Sequence, residues 1–121
     1  MIPERFSPYL LSVMRAVFGF LWCLHGLDKF GLFGGNVASL ATLLGIGGVI
    51  EVVGGALLIV GWQTRTIAFL ASGQMAVAYF LRHHPQGLSP LQNGGELAAL
   101  YCFAFLYLAA KGPGPIAFDR R

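Results

Sequence analysis

Glu51 lies in a stretch that carries no other charged residue from Gly31 to Arg65. A carboxylate inside such an apolar run costs roughly 2.5–3.5 kcal/mol at the centre of a bilayer, so it normally faces a bundle interior or a wet cavity and finds a partner. Other polar side chains are spaced to meet it. His25 stands three residues before Asp28 and four before Lys29, which puts the three near one helical face. Tyr79 and His83 recur four residues apart, and Glu96 begins a helical stripe through Leu100, Phe103 and Tyr107. Carboxylates and imidazoles accept protons, and aromatic rings sandwich flat ligands. Together they suit a flat organic ring better than an ion. The candidate ligand-binding set is therefore His25, Glu51, Glu96, His83, Tyr79 and Phe103. Arg15, Asp28, Lys29, Gly54 and Gly55 form a supporting set.

Four apolar segments must position these groups: about 9–30, 37–61, 65–82 and 95–111. With 56% hydrophobic and 11% charged residues and a mean hydropathy of +0.70, the chain falls outside the soluble range of about 25% charged. Its length allows one transmembrane domain of four spans. The expected fold is all-α, an integral membrane four-helix bundle. Gly31–Asn36, Gly61–Thr64, the segment from Pro85 to Gly94, and Gly112–Pro115 carry the turn chemistry between and after the helices, with Thr64 expected as an N-cap.

Arg5, Arg15, Arg65, Lys111, Arg120 and Arg121 fall on one side of such a bundle, and Lys29 and Arg82 on the other. The positive-inside rule then places both termini in the cytoplasm. The N-terminal apolar stretch is expected to be retained, because it has no A-x-A cleavage site and Arg15 interrupts it. Counted at 1.5 Å per residue from the cytoplasmic end, Arg15 lies about 9 Å deep, Glu51 about 16 Å, Glu96 about 22 Å, His25 about 24 Å and His83 about 27 Å. The last four are expected to converge in the middle or outer membrane. On the second span Gly47, Gly48, Glu51, Gly54, Gly55 and Leu58 share a face, and the glycines let another backbone approach, so Glu51 points at a helix rather than at lipid.

Plainer readings stand beside these. Glu51 serves equally as a structural residue bonded to a tyrosine, to Gln74 or to a helix end. Asp28 and Lys29 form an interfacial ion pair, Arg15 snorkels to the cytoplasmic interface or pairs with a carboxylate, and Trp22 and Trp62 face lipid or the interface. Cys23 and Cys102 differ in depth by about 7 Å, the whole reach of a disulfide, so both are expected to be free. No metal, haem or iron–sulfur motif is present in the sequence, and no basic stripe for nucleic acid.

The string from Arg15 through Phe18-Gly19-Phe20 and His25-Gly26 to Lys29 resembles the first span of the DoxX family of small membrane proteins. Gly48-Val49-Ile50-Glu51 with Gly54, Gly55 and Gly61 is similar to the second span. His83–Gly87 and Asn93–Glu96 are similar to the third junction, and Gly112-Pro113-Gly114 with Asp119 to the C-terminal signature. Pro115 and Ala117 depart from the usual ending.

The resemblance implies a four-helix membrane bundle in the bacterial cytoplasmic (inner) membrane. It also implies association with an oxidoreductase system, since the family's name comes from a subunit of a thiosulfate:quinone oxidoreductase, and other members are linked to quinone detoxification. The expected function is a membrane subunit or accessory protein that interacts with a quinone or quinol. The partners would be lipid and an oxidoreductase subunit. A non-catalytic anchor or assembly factor is the alternative. A small-molecule permease is the third reading, and it needs a homo-oligomer because four short helices leave little room for a pathway.

Overall fold

The computed structural model describes residues 1–30, 43–90 and 94–119. The expected turn at Gly31–Asn36 and the start of the second span at Val37 lie outside the described residues, as do Arg120 and Arg121. The structure is all-α in a four-helix arrangement: α1 (Ser7–Lys29), α2 (Leu43–Val60), α3 (Thr64–Ala78) and α4 (Glu96–Lys111). A short 3-10 turn, Glu4–Phe6, precedes α1, and α3 runs on through a π-helical turn, Tyr79–His83, and a 3-10 turn, His84–Gln86. Among the described residues one helical stretch, Glu4–Lys29, is long and apolar enough to cross a membrane, and Gly45–Val60 is a shorter apolar helix.

The chain divides into two compact units, one of residues 1–64 and 113–121, the other of residues 65–112. In the first, α1 and α2 pack as an antiparallel pair. The buried positions of α1 are Ser12, Arg15, Gly19, Trp22 and Gly26, an alternating three–four spacing. Gly48, Glu51, Gly55 and Leu58 are buried on α2 with the same spacing. This 3.5-residue repeat is the seam of a left-handed helix pair.

Glycines set how close the two backbones come. A Cβ on Gly55 would stand 2.6 Å from the Gly19 oxygen and 2.7 Å from the Cys23 Cβ; one on Gly26 would stand 2.7 Å from the Gly48 oxygen. Cys23 reaches the Val52 carbonyl at 3.7 Å. Trp22 belongs to this buried seam. That corrects the expectation that it faces lipid or the interface: its position in the repeat, between Gly19 and Gly26, turns the indole inward.

Arg15 corrects a second expectation. It does not snorkel; it is buried. Its Nε donates to the Leu58 carbonyl at 2.8 Å, Nη2 to the Ile59 carbonyl at 3.3 Å and Nη1 to the Pro113 carbonyl at 2.5 Å. The last carbonyls of a helix have no partners within it. A guanidinium with five donors in a fixed fork meets two of them and a third from the tail, which holds the cation inside.

The tail, 113–119, is a strap along this end of the unit. Ser12 Oγ donates to the Pro113 carbonyl and accepts from the Ile116 N–H, both at 3.1 Å. The Phe118 and Asp119 N–H groups donate to the Val60 and Gly61 carbonyls at 2.9 and 2.8 Å. The Asp119 carboxylate accepts from the Gln63 N–H at 2.7 Å and the Thr64 N–H at 2.9 Å, where α3 begins. Thr64 is thus the first helical residue rather than the expected N-cap, and an aspartate 55 residues away does the capping.

In the second unit Ala98, Tyr101, Phe105 and Leu108 are the buried face of α4, and Tyr101 stacks on Phe105 with centroids 5.5 Å apart. Ser72 Oγ donates to the Cys102 carbonyl at 2.8 Å. Arg65 repeats the device seen at Arg15. Its Nη1 donates to the Ala110 carbonyl at 2.5 Å and its Nη2 to the Lys111 carbonyl at 3.3 Å. Both helix ends close on a glycine with positive φ, Gly61 at 77° and Gly112 at 96°. In each case a Cβ would come within 3.0 Å of the arginine.

Candidate functional site

Glu51 is 2% exposed, and Lys29 Nζ donates to its Oε1 at 2.6 Å. The seam explains the meeting. Gly48 and Glu51 lie one turn apart on the buried face of α2, and Gly26 brings α1 against Gly48 and Val52. Lys29 is the last residue of α1. From there its four-carbon stem turns inward along the helix pair instead of outward to water. The methylenes pack beside Gly48, where a Cβ would stand 3.3 Å from the Lys29 Cβ and 3.0 Å from the Phe30 ring.

The pair replaces the expected Asp28–Lys29 bridge. Asp28 and Lys29 are consecutive, so their side chains leave the helix about 100° apart. Asp28 is exposed while Lys29 turns toward α2. A buried carboxylate attracts the ammonium more strongly than an exposed one, since less water screens it.

The two partners differ in access. The Lys29 side chain is 23% exposed against 2% for Glu51. The ammonium therefore forms the mouth of the site and the carboxylate its floor. His25, one turn before Lys29 on α1, is exposed. This edge presents the two Lys29 donors not given to Glu51 and an imidazole that donates or accepts. Such groups are chemically able to hydrogen-bond the oxygens of a neutral ligand and to exchange protons with it. Among the described residues no group of three or more His, Cys, Asp or Glu is placed to hold a metal ion.

The other expected site residues belong to the second unit. Glu96 and Phe103 are exposed there with Leu100 and Tyr107, on the face of α4 away from its buried residues. Tyr79 is half-buried and meets Phe80 edge-on at 5.3 Å and His84 at 6.4 Å. The side chain of His83 lies outside the described residues. Exposure of His25, Glu96 and Phe103 lends no support to an enclosed chamber built from all six. Gly54 and Gly55 are buried on α2, one turn after Glu51. Cys23 and Cys102 are both free thiols.

Arg15 and Asp119 form the second polar cluster of the first unit. Burial raises the Asp119 carboxyl, but hydrogen bonds from Thr64 and Gln63 and the charge of Arg15 outweigh it and hold the group below the usual carboxylate range. The sequence carries one signal of this cluster, the left-handed Gly114 (φ 81°). A Cβ there would collide with Ser12 Oγ, so glycine is needed for the strap to pass.

The comparisons with known proteins agree with the fold. The pattern of the DoxX family matches residues 10–84. An uncharacterised protein of Haemophilus influenzae is 42% identical over 126 residues, covering 98% of this chain and 94% of the relative. The inner membrane protein YphA of Escherichia coli is 28% identical over 127 residues, covering 94% of this chain and 91% of that one. No solved structure matches the chain. The matched residues take in α1 from Leu10 onward and the whole of α2 and α3, and with them Arg15, Lys29 and Glu51: the chain belongs to the DoxX family of membrane proteins.

Proposed function

We propose that the protein is an accessory membrane subunit that binds the ring of a quinone or quinol at the Lys29–Glu51 mouth and serves a partner oxidoreductase. In this reading the chain is a single transmembrane domain with spans of about 9–30, 37–61, 65–82 and 95–111. Both termini lie in the cytoplasm, and the membrane is the bacterial inner membrane, the place named for the Escherichia coli relative. The observation that carries the reading is the asymmetric pair: a carboxylate sealed in the helix seam, capped by an ammonium that reaches the surface.

Lys29, with Glu51 beneath it as its counter-charge, donates a hydrogen bond to a ring oxygen, and the exposed His25 takes up in turn the two protons that the quinol hydroxyls give up on oxidation and passes each to water. The two electrons pass to the partner's redox centre. A ligand from the bilayer reaches the mouth sideways, past the exposed His25. Glu96, His83, Tyr79 and Phe103 carry no part of this reading.

The closed glycine seam favours a second reading, a non-catalytic anchor in which the ion pair only fastens α1 to α2. Mass spectrometry of lipophilic molecules extracted from the purified protein separates the two. The quinone reading expects a retained quinone whose occupancy falls in Glu51→Gln while the variant stays folded. The anchor reading expects no retained quinone, with the substitution acting on folding or on partner capture.

A further inference from the structure

Each unit is built on a helical hairpin, and the two hairpins do the same work at positions 50 residues apart. Arg15 on α1 donates to the Leu58 and Ile59 carbonyls at the end of α2. Arg65 on α3 donates to the Ala109, Ala110 and Lys111 carbonyls at the end of α4. A left-handed glycine follows each of these ends, Gly61 and Gly112, and a Cβ on either would stand 3.0 Å from its arginine. Deeper in each hairpin a first-helix side chain donates to a second-helix carbonyl: Cys23 to Val52 at 3.7 Å, and Ser72 to Cys102 at 2.8 Å. Val52 and Cys102 are again 50 residues apart.

Burial keeps the same interval. Every buried residue of α4, from Ala98 to Leu108, lies 50 residues after a buried residue of α2. Leucine recurs at the last of these positions, Leu58 and Leu108, whereas Gly55 gives way to Phe105. The interval is carried by what each position does and not by residue identity.

A common demand produces the match. In each hairpin the second helix ends beside the start of the first, and its last carbonyls have no partners within the helix. A planar guanidinium meets several of them at once, which a compact ammonium on a flexible stem does not. The glycine leaves room for the fork and turns the chain away. The Lys29–Glu51 pair stands outside this device. It belongs to the far end of α1, where Lys29 is the last residue, and its counterparts at the same interval are Tyr79 and Tyr101.

We infer that the chain uses one hairpin plan twice, that the arginine clasp closes each hairpin on its own, and that the Lys29–Glu51 pair is an addition to the first hairpin which closure does not need. The inference stands on the hairpins alone and requires no quinone.

The test is hydrogen–deuterium exchange of the full chain in detergent, read by mass spectrometry of peptides from each helix. Arg15→Lys should speed exchange at the last turn of α2 and in the strap about tenfold, as the loss of one charge-assisted bond predicts, and leave the last turn of α4 at the wild-type rate. Arg65→Lys should do the reverse. Lys29→Met combined with Glu51→Met should leave exchange along both α2 and α4 unchanged. If Arg15→Lys does not fold, Arg65→Lys decides alone: Arg65 is exposed, and its effect must stay at the end of α4. An Arg65→Lys protein that loosens both hairpins alike, or neither, would overturn the separate clasps. Faster exchange along the whole of α2 in the Lys29→Met, Glu51→Met variant would overturn the claim that the pair is an addition.

Discussion

Removing one charge of the Lys29–Glu51 pair should hurt more from one side than from the other. Breaking a buried ion pair typically costs about 3–5 kcal/mol, because the surviving charge stays desolvated. At 2% exposure Glu51 has no route to water. Lys29→Met should therefore cost close to that range, about 3 kcal/mol. Lys29 is 23% exposed at the end of α1, so in Glu51→Gln the freed ammonium swings outward and regains its hydration. That substitution should cost only about 1 kcal/mol, mostly the lost charge-assisted hydrogen bond. Lys29→Met with Glu51→Met puts apolar side chains on both sides of the seam and should lie within about 1 kcal/mol of the wild type. Chemical unfolding in mild detergent reads all three, and Glu51→Met as a further single variant closes the double-mutant cycle. The reasoning fails if Glu51→Gln is as damaging as Lys29→Met, or if the two losses simply add.

Further outcomes follow from the rest of the structure. Gly55→Leu should force α1 and α2 apart, since even a Cβ meets the Gly19 oxygen at 2.6 Å; a loss of at least about 1–3 kcal/mol is expected in the same unfolding assay. Arg15→Lys keeps the charge but not the fork that reaches Leu58, Ile59 and Pro113, so it should destabilise by about 1–3 kcal/mol and open the strap to proteolysis. Asp119→Asn should cost about 1 kcal/mol at neutral pH. Because the folded carboxyl is held below its usual value, its contribution is complete above about pH 4 and is lost as pH falls through the lowered value. The variant's acid unfolding curve should accordingly be flatter there than that of the wild type.

The inward placement of Glu51 was legible in the sequence because glycines one turn to either side mark the packed face, and the separation in depth of Cys23 and Cys102 foretold two free thiols. Its ion partner was not legible. Asp28 is adjacent to Lys29 in sequence, and adjacency hides the fact that consecutive helical side chains diverge. Arg15 depends on Pro113, 98 residues away, and no local pattern announces that contact. The fourth helix is apolar almost all round, so periodicity did not decide between Ala98, Tyr101, Phe105 and Leu108, which are buried, and Glu96, Leu100, Phe103 and Tyr107, which are exposed. The three–four spacing of Ser12, Arg15, Gly19, Trp22 and Gly26 was present throughout. It becomes readable as a seam once arginine and tryptophan are allowed to be interior residues.

Infrared difference spectroscopy of a bound quinone tests the proposed site most directly. With the quinone added to the purified wild type, a hydrogen bond from Lys29 should lower one carbonyl stretching frequency relative to the quinone in detergent. In Lys29→Met combined with Glu51→Met that shift should vanish while the helix content stays the same. A quinone carbonyl band identical in the wild type, the double variant and detergent alone would contradict a ligand at this ion pair.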